Sequence, residues 1–456
     1  MLMRNIATYR VRIVRKYILV LLVVVLLVSM SLVSPVPVHT QQPGGEIRVG
    51  AIQSLRGEYA GYGEGALFGL EAAVSDINDK GGVTVGTDRM PIKLVVEDSR
   101  SNPDRTGNLA ESLISRDKVQ FIISGDEPSQ MHYGVSTVCD RYKIPYVTSV
   151  GLLEPWLGMR QKAATGWEYT WATGMFAMTI PAQTLDFRSG NPNYTVLDTW
   201  MDMLKKYSSR INKNVAMFAS DDAEGRSWYN TLGPLLKKMG YTPFGWDIKM
   251  GLTPSNIKDF STAINYWKTN NCEVFLGNAT PSLFQSFWEQ CQAQDFEPKL
   301  VGVGRAPLFY QDIVSWGDDL PEGVGVEVGW DPSFKNSPGI GSTTPASLAE
   351  RWARETGQPL NRNIGSGYRS VQVLVDALQR AGTLNSEKVN HALADTDLMT
   401  IGHRVKFDEN HFSRSPVIIC QWFKTGGARG WEQRVVFSRH NFAPVRSQPF
   451  LPVLYD

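Results

Sequence analysis

From Glu46 onward the apolar positions along the chain switch repeatedly between two periods. Short apolar runs occur at EIRVGAIQ (46–53), PIKLVVED (91–98), KVQFIISG (118–125) and IPYVTS (144–149). Their length and β-branched content mark them as strands. The intervening stretches repeat every three to four residues. In 63–82, Ala66, Leu70, Ala73, Val74 and Ile77 fall on one helical face, and Gly81-Gly82 stops the pattern. In 101–117, Asn102 and Pro103 supply the start signal of a helix. After an aromatic, Gly- and Thr-rich passage, TGWEYTWATGM (165–175), the alternation begins again. Strands are expected at NVAMFAS (214–220), YTPFGWDIK (241–249), CEVFLGN (272–278) and PKLVGVG (298–304), with helices near 224–240, 255–270 and 281–294. The last part is mixed: GVGVEVGW (323–330), helices near 344–357 and 363–382, then β segments at 403–409, 416–424 and 432–438. Strand–helix alternation of this kind builds parallel sheets covered on both faces, so the fold class is α/β with two doubly wound parallel sheets.

The first 45 residues break the pattern. Arg4, Arg10, Arg12, Arg15 and Lys16 precede the apolar run ILVLLVVVLLV (18–28), followed by small and turn-forming residues. This is the layout of a secretory leader, cleaved or retained as an anchor, and it directs the rest of the chain out of the cytoplasm. Five of the 46 basic residues lie in the leader and all 45 acids lie beyond it, so the exported part is acid-biased by four. No basic tract remains, and nucleic acid is not an expected partner. Four cysteines, Cys139, Cys272, Cys291 and Cys420, have no zinc-like spacing. Cys272 opens a strand and Cys291 ends the helix returning beside it, so a Cys272–Cys291 disulfide is expected for an exported chain, with two buried thiols as the alternative. The 13 Trp and 11% aromatic content suit either a ring-lined cleft or a rich core.

Gly61, Gly63 and Ala66 in GYGEGA fit G-x-G-x-x-G/A, which lays a dinucleotide on a helix N-terminus in NAD-dependent oxidoreductases. Glu97-Asp98 ends the next strand where a ribose-binding acid would stand. Eight residues, SLRGEYAG, separate the first strand from Tyr62, however, which is too long for that tight turn. No HExxH, nucleophile elbow or Walker motif occurs; IGSG at 364–367 lacks the elbow spacing, and His403 and His411 read as surface or packing residues. The chain is therefore read as a binder, not an enzyme, without cofactor or metal.

The stretch VGAIQSLRGEYAGYGEGALFGLEAAVSDINDKGGV (49–83) resembles the start of type I periplasmic solute-binding proteins of the branched-chain amino acid class, which feed ABC transporters. The resemblance continues through SNPDRTGNLAESLISRDKV, YTWATGM, GYRSVQVLVDAL and KFDENHF, over roughly 46–425. It implies a Venus-flytrap of two lobes joined by three crossovers near residues 170, 328 and 400. One lobe would hold 46–170 and 329–400, the other 171–328 and 401–456. It also implies a small polar solute, such as an amino acid, held between the lobes and passed to an ABC permease; a sensor domain of the same fold is the alternative. A sensor would need a second span or effector module, and the sequence stops at LPVLYD.

Position by position, the resemblance makes Tyr62 a pocket wall and Ser129 the donor to a ligand carboxylate, with a plain helix cap as its other reading. Val150 and Gly151 would face the ligand's ammonium group. This chain departs from the family elsewhere. Leu152 stands where a threonine is usual, Asp222 where a tyrosine is usual, and Ala279 where an aromatic is usual. The glutamate that pairs with the ammonium is replaced by Gly304 or Arg305. Asp222 is the candidate to take that acid's place, and Arg305 to grip an anionic ligand. These departures imply that leucine, isoleucine and valine bind weakly.

Overall fold

The computed structural model of the protein describes residues 45–179, 194–317, 319–426 and 430–449. The leader's basic and apolar run lies outside the described residues. Among those described, no helix is long and apolar enough to cross a membrane.

Strand β1 (Ile47–Gln53) runs into helix α1 (Ala60–Asn78), followed by a short hairpin, β2 (Val83–Val85) and β3 (Asp88–Met90), and by β4 (Ile92–Asp98). Helix α2 (Pro103–Ser115) begins as its sequence demands: the Asn102 side chain accepts from Asp104 N–H and Pro103 sits in the first turn. Then come β5 (Phe121–Glu127), a 3₁₀ turn (Ser129–His132), α3 (Tyr133–Tyr142), β6 (Tyr146–Leu152), α4 (Leu153–Lys162) and β7 (Thr170–Phe176). The five longer strands form one parallel sheet in the order β4-β1-β5-β6-β7.

A second sheet is built from α5 (Val196–Lys206), β8 (Asn214–Ser220), α6 (Ala223–Lys238), β9 (Thr242–Phe244), β10 (Leu252–Thr253), α7 (Ser261–Thr269), β11 (Val274–Ala279), α8 (Pro281–Ala293), β12 (Leu300–Arg305), the short α9 (Tyr310–Ile313) and β13 (Gly325–Val328). The chain then returns to the first sheet with α10 (Pro345–Thr356), α11 (Ile364–Ala381) and α12 (Ser386–Ala394), and closes a small β14–β15 pair (Asp397–Met399, Arg404–Lys406). Finally β16 (Ile418–Lys424) and β17 (Trp431–Phe437) add antiparallel strands to the second sheet, whose main path is β10-β8-β11-β12-β13-β16-β17.

The chain therefore passes between the sheets after Phe176, after Val328, and between Lys406 and Ile418. The first passage lies beyond the expected residue 170, because Trp171 and Met175 are both buried and keep the strand paired to β6. The third lies beyond 400 because Leu398 and Val405 pair across the small hairpin. The stretch 241–249 is a strand only over β9. Gly245, at φ +79°, turns the chain, and Trp246 folds back so that its Nε1 donates to the Tyr229 carbonyl at 3.1 Å.

Most of the aromatic content is core. Trp267, Phe275, Phe284, Phe287 and Trp288 share one buried cluster on the second sheet. Cys272 and Cys291 lie in that cluster as free thiols, and Cys139 and Cys420 are also free and buried. The expected disulfide is thus absent: both sulfurs pack as small apolar groups, and burial pushes the Cys272 thiol up to about 12. Helix α11 carries the main connection between the first sheet and its covering layer. Val371, Leu374 and Leu378 pack with Leu70, Ala73 and Ile77 of α1 in one core.

Candidate functional site

The parallel strands of both sheets present their carboxyl ends to one cavity, the place where open α/β sheets bind ligands. Asp126 is next to last in β5, Gly151 and Leu152 end β6, Asn278 lies on β11, Arg305 ends β12, and Glu327 and Val328 end β13; all line it. Tyr62 from α1 and Phe309 from the second-sheet side form another wall, their rings meeting edge to face at 4.7 Å. Phe176, Gly329, Trp330 and Ser415, from the segments that pass between the sheets, also line it. The empty space between these walls is ≈ 720 Å³, open solvent at the mouth included.

Of the residues expected to bind a ligand, Tyr62, Gly151, Leu152 and Arg305 line the cavity. Ser129 does not. Its backbone N–H and hydroxyl both donate to Oε1 of Glu224, at 2.7 and 2.6 Å, and its hydroxyl also lies 3.0 Å from the Leu152 carbonyl. Val150 contributes backbone to β6, in register with Glu127 and Met175. Asp222 stands behind Arg305, capping α6 through Gly225 N–H and receiving both guanidinium ends at 2.9 and 3.2 Å. Arg305 is therefore not free to grip an anion: Asp222 holds it bidentately, and Oε2 of Glu224 lies 3.6 Å from its Nε. Burial opposes the Arg305 charge, but Asp222 and Glu224 outweigh it and hold its pKa above the usual range. The Arg305 backbone sits at φ +69°, an unusual conformation for a residue with a side chain, stabilised by these ion pairs.

The acid missing at Gly304 is supplied from the next strand. Gly302 and Gly325 are paired in parallel, so Glu327 falls beside Gly304. A Cβ at 304 would collide with the Glu327 carboxyl and come 2.7 Å from Asn278 Nδ2. Glycine here is what leaves room for both. A signal was present in the sequence: a lone glutamate within the apolar run GVGVEVGW. Arg369 carried a similar one, a cation on the buried face of α11. Its guanidinium donates to Ser149 Oγ at 2.9 Å and reaches Thr173 Oγ1 at 3.3 Å. Asp126 and Glu224 carried no such signal.

Several buried polar atoms of this cavity have no hydrogen-bond partner in the protein: Asp126 Oδ1, Glu327 Oε2, both Oδ1 and Nδ2 of Asn278, and Arg305 Nε. Orphaned groups of this kind cost stability unless a bound molecule satisfies them. Burial pushes Glu327 up to about 7; contacts with Trp200 and Arg305 pull it down, and Glu224 pushes it up. Burial likewise pushes Asp126 up to about 7, against the pull of Arg369. A carboxyl with a raised folded pKa contributes stability below its unfolded pKa and loses it as pH rises through the folded value. Glu327→Gln is therefore expected to gain on the wild type between about pH 4.5 and pH 8, by roughly 3 kcal/mol at most, since one pKa unit is about 1.36 kcal/mol. Urea unfolding of both proteins at pH 5 and pH 8 checks this; a constant difference would mean that the carboxyl ionises over the same pH range in the folded and unfolded chains, so that burial does not raise its pKa.

The dinucleotide alternative finds no place. The GYGEG glycines lie inside α1, where a Cβ at Gly61 would stand 2.5 Å from the Phe309 ring and one at Gly63 would strike the Ser54 backbone. Neither faces an open phosphate cradle. Among the described residues no cluster of His, Cys, Asp or Glu is placed to hold a metal ion.

A family model described as periplasmic binding protein matches residues 46–428. A Leu/Ile/Val-binding protein homolog from Brucella suis is 23% identical over 394 residues, covering 83% of this chain and 89% of the relative. The solved leucine binding protein LivK of Thermotoga maritima superposes with a TM-score of 0.64 at 18% identity, over 86% of this chain and 99% of that one. The branched-chain amino acid binding protein LivJ of Streptococcus pneumoniae, solved with isoleucine, gives 0.62 at 16% identity over 86% and 99%.

Proposed function

The chain belongs to the periplasmic binding protein family and has a solute-binding role; from that premise we propose that it captures a small polar solute in the cavity between its two sheets. The bodies built on those sheets act as two lobes, closing on the solute and opening to release it to an ABC permease, outside the cytoplasm. The lobes run through Phe176 and from 329 to Lys406 on one side, and through Val328 and from Ile418 on the other. A solute that touches both lobes binds the closed form better, and that difference drives closure.

One observation carries this reading. Buried, unpartnered polar atoms from both sheets, Asp126 on one side and Asn278 and Glu327 on the other, face one cavity. A bound solute would complete their hydrogen bonds. The role is that of a binder and not a catalyst.

The test is a thermal-shift screen of the purified protein against amino acids, amides, amines and small carboxylates. A true ligand at 100 times its Kd is expected to stabilise by about 2.7 kcal/mol. Asn278→Ala should then bind it at least tenfold more weakly. Without ligand the variant should be no less stable than wild type, because the amide removed has no partner to lose. Unchanged affinity in Asn278→Ala would place the ligand elsewhere.

A further inference from the structure

The place best built to hold a carboxylate is already filled by the protein itself. The backbone N–H and hydroxyl of Ser129, on the first-sheet side, converge on Oε1 of Glu224, which starts α6 on the second-sheet side. Glu224 is 1% exposed, and Arg305 lies 3.6 Å from its other oxygen. The groups still unpartnered nearby are mostly acceptors, Asp126 Oδ1, Glu327 Oε2 and Asn278 Oδ1; the donors among them are Asn278 Nδ2 and Arg305 Nε, which Glu224 faces at 3.6 Å. Asn278 is 1% and Glu327 6% exposed, and both line the cavity. Charge leans the same way. Arg305 is shared by Asp222 and Glu224, and Arg362 is matched by Asp331 at 2.8 Å. Among the described lining residues, Arg369 is left to face Asp126, and Ser149 and Thr173 occupy two of its nitrogens while the third lies 3.5 Å from His403 Nδ1.

Building on the solute-capture reading, we infer that the cavity takes a donor-bearing amine or amide with an apolar body and no free carboxylate, because Glu224 occupies the carboxylate's place. The amine or amide N–H groups meet Glu327, Asn278 and Asp126. The apolar body lies against Tyr62, Phe309 and Trp330. Glu224 is a specificity-determining residue: it closes Ser129 to ligand acids and keeps the cavity short of positive charge.

Calorimetric titration at pH 8 with matched series tests this: phenylalanine, phenylalaninamide, phenethylamine and 3-phenylpropionate, and the corresponding leucine set. An amide or amine is expected to bind at least tenfold tighter than the amino acid of the same side chain. In Glu224→Ala, Ser129 is released, and the ratio should swing at least tenfold toward the amino acid. Wild-type protein that binds a free amino acid or carboxylate as tightly as its amide overturns the inference while leaving solute capture standing. Failure of both amines and amides to bind also overturns it, and failure of every solute in both series counts against the capture reading as well. If Glu224→Ala does not fold, the wild-type series decides alone, and Glu224→Gln, which keeps the volume, reports the swing.

Discussion

Replacing Gly61 with alanine is expected to weaken solute binding at least tenfold with little loss of stability, whereas the same change at Gly63 should destabilise the protein by about 3 kcal/mol. Both glycines lie in the first turn of α1, where alanine is by propensity the better residue by about 1 kcal/mol. Their surroundings differ. A Cβ at 61 would sit 2.5 Å from the Phe309 ring, which belongs to the other sheet's body. Under the proposed lobe closure, that clash exists only while the two bodies are together, and the unliganded protein escapes it by opening. Closure then carries the cost, and each 1.4 kcal/mol taken from the closed state is a tenfold loss of affinity. A Cβ at 63 would strike the Ser54 carbonyl of its own body. Ser54 cannot yield readily: its N–H donates to Glu127 at 2.6 Å and its hydroxyl reaches Glu127 and Ser99. Overpacking against fixed backbone costs about 1–3 kcal/mol or more. Urea unfolding, calorimetry and small-angle scattering separate the two effects. Equal stability losses would mean that Gly61 is a fold residue like Gly63; a wild-type affinity in Gly61→Ala would mean that Phe309 does not close over α1.

These glycines also show what was legible in the sequence. The strand and helix periods of 46–149 located β1, β4, β5 and β6 and the helices between them, because each element buries one face against one neighbour. Helix α5 was not read from the sequence, and the second sheet was legible in the same way except at the short strand β10 and at 241–249. There Gly245 and the indole of Trp246 turn the chain, an effect of side-chain contact and not of period. Placement across the chain was less visible. Ser129 was expected to meet a ligand, but its partner, Glu224, comes from 95 residues away on the other side of the cavity. Gly304 looked like the loss of an acid, yet strand pairing brings Glu327 to the same spot. A single sequence states which residue is missing at a position but not which distant one takes its place. The cysteine pairing failed for a related reason: proximity in a strand–helix unit does not decide between a bond and two packed thiols.

The largest stability effect in the site is expected at Arg305. Arg305→Met should destabilise by about 3–5 kcal/mol, the range for removing one partner of a buried ion pair. Methionine keeps the length and the non-glycine backbone at φ +69°, so the loss reports the charge and not the strain. What it leaves behind is uneven. Asp222, with 28% of its side chain exposed, regains water, whereas Glu224 is sealed and keeps only the Ser129 donors. Arg305→Lys should fall in between, since a single ammonium cannot answer Asp222 bidentately and reach Glu224 together. Adding Glu224→Leu to Arg305→Met should recover much of the loss, because no buried charge then stands without its partner. A double-mutant cycle read by urea unfolding is expected to give a coupling of at least about 1.5 kcal/mol between the two, above the 0.3–0.5 kcal/mol of independent sites. Additive losses would show that Glu224 is held by Ser129 alone. The bond between the two sides of the cavity would then be a neutral hydrogen-bond clasp, and Arg305 would serve only to cap the end of β12 through Asp222.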